Sequence, residues 1–250
     1  MISVWLPRWL GEIYSKLYLE FEGCLFNFEQ ARSILGLDAG RLNVAFSRLH
    51  SQRVLTIFRR TRPRLYRLVD PESFILLASD RVRNLDRLAQ ERYLPLILDA
   101  YRETCREFRV KSFAVYGSVA RGTAGDNSDV DLLVISDDFT GSIGQRLERL
   151  LKVEDSVEAE LEWLSSHGIH TGLSFYPLRC TEAERLPDLF LDLTEDAVIL
   201  WDDGRFLESL LLELKAKLLR QGAVRVFVDQ DNWYWDLKPD YKFGEAIEIP

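Results

Sequence analysis

Apolar residues recur at helical spacing through Leu10, Ile13, Leu17 and Phe21, with Tyr14 and Tyr18 beside them, and Gly23 closes the stretch. A short second helix is predicted from Asn27, an N-cap candidate with Gln30 three residues on, through Ala31, Ile34 and Leu35. Gly36 breaks the chain, and Asp38 can cap a third helix. That helix turns Leu42, Ala45, Phe46 and Leu49 inward and Arg41, Asn43, Val44, Ser47, Arg48 and Ser51 outward. Two strands, 54–60 and 64–69, follow about Thr61-Arg62-Pro63.

Asp70-Pro71-Glu72 opens a helical pattern that runs through Leu85, Leu88, Leu94, Ile97, Leu98, Tyr101 and Phe108, divided or kinked at Pro95. Its charges (Arg81, Arg83, Asp86, Arg87, Glu91, Arg92) read as a solvated face. Strands are then predicted over 110–116, 130–135, 171–176 and 197–201. Between and after them come a long amphipathic helix over 143–164 and helices over 186–193 and 206–219. In the long helix Ile143, Leu147, Leu150, Leu151, Val157, Leu161 and Leu164 are placed inward. Trp233 and Trp235, in the tail segment 232–241, read as packing a last strand onto the core, with base stacking as the alternative. The pattern predicts an α/β (α+β) chain in three parts: a domain over 1–70, a helical linker over 71–109, and a mixed-sheet domain flanked by helices over 110–250.

Composition is that of a globular chain, 47% hydrophobic and 29% charged over 250 residues. No apolar run reaches membrane-spanning length, and the N-terminal stretch lacks the pattern of a signal peptide, so the expected location is the cytoplasm with no membrane partner. Cys24, Cys105 and Cys180 are odd in number and in no metal-ligand spacing, and read as small buried hydrophobes. His167 and His170 read as helix-end and loop residues.

Charge changes the picture more. The net charge is −8, yet residues 1–70 hold 11 Lys and Arg against 6 Asp and Glu. From Arg41 to Val69 there is no acid but eight Arg: Arg41, Arg48, Arg53, Arg59, Arg60, Arg62, Arg64 and Arg67. Helix, tight turn, arginine-bearing helix and hairpin resemble in architecture a winged helix-turn-helix domain. Duplex DNA is the partner expected through residues 41–69, with Arg41, Arg48, Arg59, Arg60, Arg62 and Arg64 as phosphate contacts. The competing readings are docking of the acidic remainder of the same chain, or contact with a second copy in a homodimer.

The candidate chemistry lies in 115–135. Gly117 and Ser118 follow a strand and can present backbone N–H groups to a phosphate. Asp129 and Asp131 alternate with Val130 and Leu132 at the head of the next strand, so both carboxylates share a face. Like charges held together call for a cation, and a divalent metal carrying a nucleotide phosphate supplies one.

Gly117-Ser118-Val119-Ala120-Arg121-Gly122 and Ser128-Asp129-Val130-Asp131-Leu132 closely resemble the signature of the nucleotidyltransferase superfamily, the polymerase β-type catalytic domain, in its minimal, archaeal-type form. The tail 232–241 resembles a C-terminal segment of archaeal-type members. The resemblance implies that Asp129 and Asp131 are catalytic and hold Mg²⁺ or Mn²⁺, and that Gly117, Ser118, Arg121 and Ser128 bind the nucleoside triphosphate. It also implies that an acceptor hydroxyl attacks the α-phosphorus and pyrophosphate leaves. Arg121 is read as a phosphate contact or, at rest, as the partner of Asp126 or of the paired carboxylates. The superfamily commonly adds a third carboxylate on the next strand. Here Thr171-Gly172-Leu173-Ser174-Phe175-Tyr176 carries none, and Ser174 takes the place. Two alternatives stay open: a DNA-binding regulator with a degenerate nucleotide-binding fold, and an antitoxin-like enzyme whose acceptor is a partner protein's side chain.

Overall fold

The second and third helices start where their side-chain caps place them. The structure, a computed structural model, describes residues 6–229 and 232–241, so the first five residues of the N-terminal stretch read above lie outside it. Helix α1 (Arg8–Phe21) ends on a left-handed Glu22. In α2 (Phe28–Leu35) the Asn27 side chain accepts from Gln30 N–H while the Gln30 side chain accepts from Asn27 N–H, closing both ends of a capping box. Asp38 caps α3 (Ala39–Ser51), whose inward residues are Leu42, Ala45, Phe46 and Leu49. Strands β1 (Leu55–Arg59) and β2 (Leu65–Leu68) then pair antiparallel.

The long helical pattern of the linker resolves into shorter pieces. Helix α4 (Pro71–Ala78) is capped by Asp70, two 3₁₀ turns follow at Leu85–Arg87 and Glu91–Tyr93, and α5 (Leu94–Glu107) starts at the next residue. Pro95 therefore opens a helix instead of kinking one, because its missing N–H costs nothing in a first turn.

A four-stranded mixed sheet follows, in the order β5-β4-β3-β6. Strand β3 (Ser112–Tyr116) runs into the short helix α6 (Gly117–Arg121) and pairs antiparallel with β4 (Val130–Ile135). Strand β5 (Leu173–Leu178) joins β4 in parallel, and β6 (Val198–Asp202) joins β3 antiparallel. The predicted helix over 143–164 is two, α7 (Ile143–Ser156) and α8 (Glu158–Ser166), broken at Val157. Ile143, Leu147 and Leu151, expected inside, are exposed on α7. The buried Arg146 takes the inward phase in their place and is held by Glu182, whose carboxyl is pulled down to about 2 by that guanidinium. Glu182 belongs to α9 (Cys180–Ala183), followed by α10 (Leu189–Asp196), α11 (Phe206–Gln221) and a last hairpin of β7 (Val224–Phe227) and β8 (Trp233–Asp236).

Both faces of the sheet are covered. Phe113, Val115, Val130, Leu132 and Val134 belong to an apolar cluster continuous with the first three helices. Ala114, Leu133 and Ile135 belong to a second cluster with α10 and α11. The three cysteines are free, and Cys24 and Cys105 are exposed, against the expectation of burial. A small thiol is tolerated at a surface, so spacing alone did not locate it. Among the described residues no helix is long and apolar enough to cross a membrane.

Several arginines of the basic stretch bond to other parts of the chain. Arg67 is buried, donates twice to Glu160 on α8 and lies 3.6 Å from the centre of the Trp163 ring. Arg59 donates to the His167 carbonyl at 2.6 Å, and Arg53 pairs with Glu91 at 2.9 Å. Glu91, expected on a solvated face, is 6% exposed. Besides Arg53 it meets His50 Nε2 at 2.8 Å and accepts the backbone N–H of Ile57 at 2.8 Å, so one carboxylate ties α3 and β1 to the 3₁₀ turn before α5. A buried charge stripped of its partners is costly, on the order of 3–5 kcal/mol. Glu91→Ala is therefore expected to lower unfolding stability by about that amount in urea titration.

Asp99 on α5 is mostly buried beside Arg102, with Asp70, Glu160 and Arg67 also facing it. Burial pushes its carboxyl up to about 7, against a partial offset from Arg102. The folded chain then holds a proton that the unfolded chain releases near its ordinary value of 3.8. This contribution is present below about pH 4 and is lost as pH rises through about 7. Wild type should lose up to about 4 kcal/mol more than Asp99→Asn across that window, at about 1.4 kcal/mol per pKa unit. Parallel stability–pH curves for the two proteins would refute the assignment.

Candidate active site

Two strand ends and one glycine make the site. Asp131 stands opposite Tyr116 on β3 and Ser174 on β5. Its carboxylate lies against Gly117, where φ is +69° and where any Cβ would collide with the Asp131 side chain. A side chain there is barred twice, by the left-handed backbone and by lack of space. Burial pushes the Asp131 carboxyl up; the Ser174 hydroxyl pulls the other way, the charge of Asp129 adds to the rise, and Arg121 opposes it. Tyr116 is raised as well, by burial first and then by Asp131 and Tyr176.

Asp129 is exposed, and its Oδ1 accepts the Gly172 N–H at 2.9 Å. Glu154 on α7, which sequence reading passed over, accepts the next N–H, that of Leu173, at 3.3 Å. A third carboxylate thus approaches Asp129 from a helix, where no strand motif signals it. Among the described residues, however, no group of three His, Cys, Asp or Glu side chains could hold a metal ion. Two carboxylates remain a fitting donor set for Mg²⁺ or Mn²⁺, which prefer oxygen ligands and commonly take only one or two from protein.

The loop between the half-motifs is fixed. Gln90 donates to the Ala124 carbonyl at 2.7 Å and accepts its N–H at 3.1 Å, and the Tyr93 hydroxyl donates to Gly125 at 2.9 Å. Arg92 pairs with Asp126 at 2.8 Å, so Arg92 takes the acid considered for Arg121. From the other side His170 N–H donates to Asp126 O and Thr171 Oγ1 to Ser128 O. Ser128 Oγ accepts the Gly125 N–H at 2.9 Å, closing the loop from within. The loop 122–128 is thus bonded to residues 90–93 on one side and 170–171 on the other. Residues 90–93 were missed as site residues because nothing local marks a surface-type sequence as the partner of a distant loop.

Arg121 points across α6 to Asp196 on α10, at 3.2 Å. Asp192 of the same helix accepts the indole N–H groups of Trp233 and Trp235 at 2.7 and 2.9 Å. The tail tryptophans thus pack the last hairpin onto the core, as read from the sequence. Away from this site Arg41, Arg48, Arg59, Arg60, Arg62 and Arg64 are all exposed on α3 and the β1–β2 hairpin.

Residues 98–174, from within α5 to the start of β5, match the nucleotidyltransferase domain family. A candidate protein adenylyltransferase of Methanocaldococcus jannaschii is 28% identical over 144 residues, covering 56% of this chain and 92% of that protein. A solved toxin–antitoxin structure with AMP-PNP aligns over 50% of this chain and 92% of its own, at 14% identity and a TM-score of 0.34. A candidate nucleotidyltransferase from Sulfolobus solfataricus aligns over 49% and 93%, at 20% identity and 0.31. Scores that low carry no weight for this chain. The span 98–174 holds both Gly117-Ser118 and the Asp129/Asp131 pair, so both half-motifs fall within the part of this chain that is similar to that domain family.

Proposed function

We propose that the chain transfers a nucleoside monophosphate from a nucleoside triphosphate to an acceptor hydroxyl, from a catalytic domain over 110–250 joined by the linker 71–109 to a DNA-binding module over 1–70. The observation that carries this reading is the half-buried Asp131, pushed toward protonation by burial and by Asp129 and packed on a glycine that admits no side chain. A carboxylate pair under that strain is relieved by a divalent cation. Asp129 and Asp131 would hold it, and when bound it neutralises phosphate charge. The turn at Gly117 and Ser118 then orients the phosphates, Arg121 adds positive charge, and Ser128 keeps the adjoining loop in shape. The new bond joins the acceptor oxygen to the α-phosphorus, and the bond to the β-phosphate oxygen breaks and releases pyrophosphate. The relative from Methanocaldococcus jannaschii favours a protein hydroxyl as acceptor.

A second reading, a nucleotide-binding regulator or antitoxin-like protein without efficient turnover, is favoured by one observation: β5 offers Asp131 the hydroxyl of Ser174 and no acid. The two readings separate on labelled nucleoside triphosphates with Mg²⁺ or Mn²⁺ and cell extract. Wild type should label an acceptor, and Asp129→Ala and Asp131→Ala should each reduce labelling by at least 100-fold, on the order of the loss from removing one preorganised electrostatic contact. Undiminished labelling by both variants would sink the assignment.

For the N-terminal module, Arg60, Arg62 and Arg64 at the hairpin tip are exposed. Duplex DNA binding should weaken with salt, and the triple alanine variant should lower the log–log slope by about 2–3, near 0.9 per lost phosphate contact. An unchanged slope in fluorescence anisotropy would remove DNA as the partner.

A further inference from the structure

Asp196 serves two arginines at once. Arg225 of β7 grips it with both terminal nitrogens, Nη1 to Oδ1 at 3.0 Å and Nη2 to Oδ2 at 2.8 Å. Arg121 of α6 adds a third, longer bond to Oδ2 at 3.2 Å. Both guanidinium groups lie against the Trp233 ring, at 3.9 Å for Arg225 and 4.7 Å for Arg121. Arg225 also approaches Asp192 at 3.7 Å. The two acids sit one helical turn apart on α10, so they face the same side. Arg225 and Asp196 are about nine-tenths buried at their side chains, whereas Arg121 is more open at 24%.

The inequality of these bonds has a chemical consequence. A bidentate guanidinium–carboxylate pair is strong and fixed in direction, and Arg225 holds that position. Arg121 keeps a single shared bond and sits at the end of the same short helix that begins with Gly117 and Ser118. Without Arg225, Asp196 would be left to Arg121 and would draw it toward α10.

We propose that Arg225 is a positioning residue for the nucleotide site: by occupying Asp196 it leaves Arg121 aimed across α6 but free to turn to a phosphate. The last hairpin, held on Asp192 through Trp233 and Trp235, is then part of the binding machinery although it lies outside the span 98–174. This rests on the reading of Gly117–Arg121 as a phosphate site given above.

The test is calorimetric titration of the full chain with each of ATP, GTP, CTP and UTP, with Mg²⁺ and again with EDTA. Wild type should bind at least one, and Arg225→Met should weaken that binding about tenfold, as should Arg121→Met. The double variant should bind no more weakly than Arg121→Met alone, because Arg225 acts through Arg121. Arg225→Lys, which keeps the charge but loses the fork, should fall between wild type and Arg225→Met. It also serves if the Met variant fails to fold. Additive losses in the double variant, or wild-type affinity in Arg225→Met, would overturn this proposal and leave the site reading intact. No binding of any triphosphate by wild type would overturn both.

Discussion

The carboxylate of Asp131 is packed against a backbone position that has no side chain. That approach requires Gly117 in the left-handed region directly after β3, and it requires β4 to run antiparallel so that Asp131 falls opposite Tyr116. Pulling a carboxylate into a partly buried place raises its proton affinity, and Asp129 close by raises it again. The sheet tolerates this because both its faces are covered by apolar layers that fix the strand ends. Stability is conceded locally at the candidate site.

Rigidity around the site comes from residues far away in sequence. Gln90, Arg92 and Tyr93 hold the loop between the half-motifs, and Glu91, between them, is held by His50, Arg53 and the Ile57 backbone. One short segment thus faces the N-terminal helices on one side and the candidate active site on the other. The buried pair of Arg67 and Glu160 makes a second such link, between β2 and α8. Such links contribute more to unique geometry than to net stability, since desolvation of each charge offsets much of the attraction.

Caps, strand alternation and the half-motifs were legible because they are local. Asn27 with Gln30, Asp38 and Asp70 each bond to backbone within three residues, so composition at those positions suffices. The Asp129/Asp131 pair was legible because a strand has period two. The long helix over 143–164 was misread in its continuity at Val157 and in the placing of Ile143, Leu147 and Leu151, while Leu150, Val157 and Leu164 are buried as expected. Leu147 and Leu151 look inward by type, yet Arg146 occupies the buried position because Glu182 is waiting there. Glu91 was read as a surface charge for the same reason: a charge is buried or exposed according to a partner that only folding supplies.

The sequence by itself determined the capped helix starts, the strands of the sheet and the turn at Gly117, all set by backbone sterics and hydrogen bonds over a few residues. The tertiary structure alone decided which arginines stay at the surface and which acids they meet. It bound the loop 122–128 to residues 90–93, brought Glu154 beside Gly172, and set Arg225 on Asp196 next to Arg121. Coulomb attraction and desolvation depend on distance and burial, and neither is encoded in the spacing of residues along the chain.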